Sequence, residues 1–107
     1  MKTPEAYYAL AREMFITAYP EVSQALDALT DEEAGALGMT RQALRDWQAE
    51  RAFAGFLREK KLDGMIFAIQ LAEPDKAVAA VAIEGYLRER AAAMGMSWEA
   101  FCRENDL

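Results

Sequence analysis

Thr40, Arg41, Gln42 and Arg45 are the side chains in this sequence best suited to reading a nucleic acid. Guanidinium, amide and hydroxyl groups spaced within one helical turn can reach base edges or phosphates together. Carboxylate pairs offer a second chemistry: Glu32 with Glu33, Asp75 with Glu84, and Glu99 with Glu104 could share a proton or a hard cation. Solvated helix faces and helix N-termini explain such pairs as well. A third candidate is Cys102, the single cysteine, with no base near it in sequence to lower its pKa. The chain has no histidine. That removes the commonest general base, the Ser–His and Cys–His pairs, and most zinc and iron sites, so no cofactor or catalytic residue is expected. No glycine-rich phosphate loop is present either.

These residues sit on a chain of 107 residues, which is one domain long. It is 53% hydrophobic and 28% charged, a globular balance. Its net charge of −6 repels nucleic acid and anionic lipid unless the basic residues gather on one face. They do gather locally, since Thr40 to Leu62 holds six basic and three acidic residues. A lone cysteine, no apolar leader and no membrane-length apolar run predict a cytoplasmic protein.

Helix punctuation organises the sequence. Thr3-Pro4-Glu5 reads as a helix start, and Pro20 as the stop of that helix. Tyr7, Leu10, Met14 and Ala18 form its expected apolar stripe, widened by Tyr8, Phe15 and Tyr19. Val22, Ala25, Leu26 and Leu29 mark a second helix, and Thr30 with Glu33 a capping box. Gly38 fits the left-handed residue past a helix end, with Thr40 capping the next helix. That next helix, about Arg41–Lys61, is the longest, and its apolar face shifts from Ala43, Leu44 and Trp47 to Ala52, Phe53, Phe56 and Leu57. Such a shift predicts a central helix clasped by two sets of neighbours. Gly55 in its middle predicts the close approach of another helix. After a break at Leu62-Asp63-Gly64, Met65–Ala72 has one polar residue in eight. Its length would suit a buried strand, but no partner strand exists, so a buried helix is expected. A helix carrying Val78, Val81, Ile83, Tyr86, Leu87 and Met94 follows. Gly95 stops it, and Ser97 caps a last one with Trp98 and Phe101. The expected fold is an all-α single domain of five to seven helices over residues 1–107.

Asp31 to Trp47 resembles a helix-turn-helix DNA-binding motif. Ala34 matches its small residue, Gly38 its turn glycine, and Leu44 and Trp47 its buried positions. The resemblance would turn Thr40, Arg41, Gln42 and Arg45 towards the groove. It requires Arg41 and Arg45 to be free of carboxylate partners. Glu33 stands where the motif buries an apolar group, Asp46 would face phosphates, and the second helix is long. The pattern Ala34-x-x-Leu37-Gly38-Met39-Thr40 also returns as Ala91-x-x-Met94-Gly95-Met96-Ser97, which capping alone explains. DNA binding therefore stands as the alternative.

The stretches Leu29 to Ala34, Leu37 to Thr40, Arg45 to Gln48 and Met94 to Asn105 together resemble a family of small, all-helical bacterial proteins of unknown function. The resemblance implies a cytoplasmic helical domain and carries over no site residue. The leading expectation is a non-enzymatic interaction or accessory protein. Its partner would be a second copy or another protein, bound through Met65, Ile66, Phe67, Ile69 and Leu71, because a helix apolar all round needs cover on every side.

Overall fold

The computed structural model describes residues 1–107, and the capping residues decide where its helices begin. Side chains of Thr3, Thr30, Thr40, Asp63, Asp75 and Ser97 each accept a hydrogen bond from a backbone N–H of the turn they open. Such a cap is typically worth about 1 kcal/mol. The helices are α1 (Pro4–Ala18), α2 (Pro20–Asp27), α3 (Asp31–Ala36), α4 (Arg41–Glu59), α5 (Gly64–Ala72), α6 (Lys76–Ala93) and α7 (Trp98–Glu104), with no strand. Met65–Ala72 is thus helical.

Helix ends obey the same physics. Gly38 and Gly95 both have φ +70°, and the next residue's N–H closes the helix: Met39 to Ala34 O and Met96 to Ala91 O, each 2.9 Å. The duplicated pattern is therefore two copies of one helix stop. A third copy has no glycine. Lys61 takes the left-handed conformation (φ 58°) and Leu62 N–H donates to Leu57 O at 3.0 Å. Gly64 then lies inside α5, where a Cβ would come 3.2 Å from Leu57 Cδ1.

The tightest helix pair is α1 against α5. Tyr7 and Ala11 of α1 and Ala68 and Ile69 of α5 are fully buried there. Small residues on both sides let the backbones approach. This corrects the expected stripe of α1: its buried residues are Tyr7, Ala11, Phe15 and Ile16, while Leu10 and Met14 are about two-fifths exposed. Helix α4 packs on α1, α2 and α3 and closes the core with Ala49, Phe53 and Leu57. Tilted aromatic contacts tie α1, α4 and α5 together, Phe15 lying 5.3 Å from Phe53 and 5.0 Å from Phe56, and Phe56 lying 5.9 Å from Phe67. Two expectations for α4 fail. Ala43 and Trp47 are exposed, Trp47 lying under the Arg51 guanidinium at 5.0 Å. Around Gly55 a Cβ would meet only Arg58 Nη2, at 3.9 Å, so no helix approaches it.

Helix α6 joins this core through Ala79 and Ala82, with Ile83 and Tyr86 packed against it, while α7 stands outside it. The principal neighbours of α6 are α5 and α7, and α7 leans on α6. Its buried side chains are all alanines, Ala79, Ala82 and Ala91. The molecule is consequently elongated, 53 × 29 × 25 Å, with a radius of gyration of 16.8 Å. A compact chain of this length would have about 13 Å.

Candidate interaction surface

The polar groups that the fold brings together lie on α1, α4 and the two ends of α5, where Arg90 of α6 also donates to Asp63 at 3.1 Å. Tyr7 Oη donates to Glu73 Oε1 and Tyr8 Oη donates to Glu50 Oε1, both at 2.7 Å. Arg12 Nη1 donates to Glu50 Oε2 at 3.2 Å. Burial, reinforced by the hydrogen bond to Glu50, pushes the Tyr8 phenol up to about 12. Burial raises Tyr7 as well, with the Glu73 bond adding to it. The Tyr7 hydrogen bond in turn lowers Glu73, helped by the Asp75 backbone N–H. A phenol held protonated is a donor, not a base or nucleophile at neutral pH. These pairs therefore act as clasps, α1 to α4 and α1 to the end of α5. Spacing could not reveal them, because the partners are 42 and 66 residues apart in sequence.

Arg41 and Arg45 do not meet the condition for reading DNA. Arg45 holds Glu13 of α1 through two bonds of 3.3 Å and lies 3.8 Å from Asp46. The Glu13 hydrogen bonds raise its pKa further above the ordinary arginine value. Arg41 lies 3.7 Å from Asp31, and Gln42 donates to Asp46 at 2.9 Å. Thr40 spends its hydroxyl oxygen on the Ala43 N–H. Arg41, Gln42 and Arg45 line a notch of about 320 Å³ with Asp27, Leu26 and Leu29. Asp27 lines the notch, and Asp31, Glu13 and Asp46 pair with its two arginines, which weakens its pull on an anion.

The acidic pairs stay dispersed, and no three His, Cys, Asp or Glu side chains converge as metal ligands. Cys102 is half-buried on α7, the helix on which the rings of Trp98 and Phe101 stack. No helix is long and apolar enough to cross a membrane.

The apolar segment divides between core and surface. Ile69 is fully buried, Met65, Ile66 and Phe67 are half-buried, and Leu71 is 37% exposed. Ile69 therefore belongs to the α1–α5 core, and Phe67 to the aromatic cluster with Phe53 and Phe56. More apolar surface lies bare elsewhere: Val81, Met94 and Leu37 are about three-fifths exposed, and Trp47 nearly half. Sequence reasoning placed Val81 and Met94 among the apolar residues of their helix. Nothing in their spacing shows that the Val81 side of α6 is left uncovered.

Neither a curated protein nor a solved structure matches the chain. One family model does, described as a family of unknown function (DUF6388), and it matches residues 1–107. The chain belongs to that family, over its whole length.

Proposed function

We propose that this protein works as a non-enzymatic interaction module, and that it binds a second copy of itself. One observation carries the reading. The chain exposes 7109 Å² for a mass of 12.0 kDa, whereas a compact monomer of that mass exposes about 6,000 Å². The surplus of about 1,100 Å² is more than the ~800 Å² each partner buries in a standard protein interface. It accompanies the elongated shape, in which α6 and α7 form an arm that meets the core along one side of α6, at Ala79, Ala82, Ile83 and Tyr86. The paired arginines, the protonated phenols and the absence of histidine leave the surface better furnished for contact than for turnover.

Sedimentation equilibrium from micromolar to hundreds of micromolar tests this reading. A species of twice the 12.0 kDa chain mass is expected. A single 12.0 kDa species across the whole range would remove self-association.

A further inference from the structure

We infer that the seam between two copies is the outward face of α6, packed antiparallel on the same face of the second copy. This deepens the self-association proposed above and rests on it. Ala77, Val81, Glu84, Gly85, Arg88 and Ala92 are all exposed, on a face of α6 that runs between the side buried at Ala79 and Ala82 and the side where Ala91 is buried near α7. Their spacing follows one helical face for about 23 Å. Val81 is 62% exposed, and a Cβ built on Gly85 would meet nothing within 4 Å. Small side chains along this length allow two helix axes to approach closely.

Three further features point to a second copy as the occupant. The surplus area of the monomer is of the size a two-fold interface consumes. The charge pattern is self-complementary: Glu84 and Arg88 lie one turn apart and pair at 3.5 Å within the monomer. A two-fold axis level with this turn sets Glu84 beside Arg88 of the second copy, twice over, as an isologous contact requires. Arg88 is already held for this, its guanidinium 4.5 Å above the Trp98 ring. Finally, the arm is the nearly neutral part of an acidic molecule. Residues 76–107 carry four basic and five acidic side chains, against eight and thirteen in residues 1–75. Association through the arm keeps the two acidic bodies apart and limits their repulsion. The Met65–Leu71 surface lacks these features, since its best anchor, Ile69, is already consumed by the core.

The test compares the full-length chain with Val81→Lys and Leu71→Lys in sedimentation equilibrium, with far-UV circular dichroism alongside. The expected result is a wild-type dimer, a monomeric Val81→Lys with unchanged helix content, and a dimeric Leu71→Lys. Should Val81→Lys lose helix, Glu84→Arg carries the test. It sets like charges against Arg88 across the axis and is expected to weaken the dimer about tenfold at low salt, an effect that added salt screens. A wild-type dimer that Val81→Lys or Glu84→Arg leaves intact while folded overturns the α6 seam and leaves self-association standing. A wild type that is monomeric throughout overturns both.

Discussion

Gly55 and Tyr8 show how much a single residue's neighbours matter. A mid-helix glycine ordinarily costs about 1 kcal/mol against alanine unless something occupies the space of its Cβ. Nothing but the tip of Arg58 comes near, at 3.9 Å. Gly55→Ala is therefore expected to stabilise the fold by about 0.5–1 kcal/mol, read as a higher urea midpoint at unchanged slope. A lower midpoint would reveal a contact that this geometry lacks. Tyr8 gives a pH dependence. Its phenol titrates at about 12 in the folded chain against an ordinary 10.0. The folded state thus holds the proton more tightly than the unfolded chain does. The stabilisation is complete below pH 10 and is lost as pH rises from there through 12. Tyr7, raised as well, adds to the same alkaline loss. Urea midpoints collected from neutral pH upward should fall across this window, and Tyr8→Phe should fall less steeply. Equal slopes in the two proteins would mean the Glu50 bond is not formed in solution. Glu73 works in the opposite direction: its lowered pKa contributes stability above the ordinary carboxylate value of 4.5, lost as acid protonates it.

Among the elements, α1 decides the architecture through one alanine. Ala11 has no exposed surface and lies in the tightest helix contact of the molecule. Ala11→Leu would push α5 away and is expected to cost about 1–3 kcal/mol. Leu10→Ala, on the face about two-fifths exposed, should cost less than about 1 kcal/mol. Thermal denaturation of the two variants checks the register: if Leu10→Ala proved the worse, the buried face of α1 would be the Leu10–Met14 stripe after all. Such ranking runs against hydrophobicity, because Leu10 and Met14 face outward while the smaller Ala11 faces in. Helix α4 holds the same lesson. Trp47 is its largest side chain, yet Leu44, Ala49, Phe53 and Leu57 are the residues buried.

At the scale of the whole molecule, the elongated shape ties stability to concentration. If the surplus surface is covered by a second copy, folding and association are linked. The melting temperature should then rise with protein concentration, and the rise should vanish in Val81→Lys. A melting temperature constant over a hundredfold dilution would point to a monomer that tolerates its bare arm. The same dilution series is informative about the core: a small domain with 17 buried residues has little stability in reserve.

The sequence by itself determined the helices and their ends. Thr3, Thr30, Thr40 and Ser97 cap where hydroxyls precede apolar runs, and Gly38 and Gly95 stop helices where a left-handed residue is needed. Capping and stopping are local, decided by a few backbone hydrogen bonds within one turn, so they can be read in a stretch of six residues. The all-α class followed from the same signals. Tertiary structure alone decided which face of each helix is buried and which residues meet across it. Tyr7 finds Glu73, Tyr8 finds Glu50 and Arg45 finds Glu13 only after α1 has been laid between α4 and α5. It also decided that Ile69 is core while Val81 is bare. Both are β-branched aliphatics in amphipathic or apolar helices, and hydropathy treats them alike. What separates them is the number of helices packed around each, a property of the assembled fold that no single stretch of the chain contains.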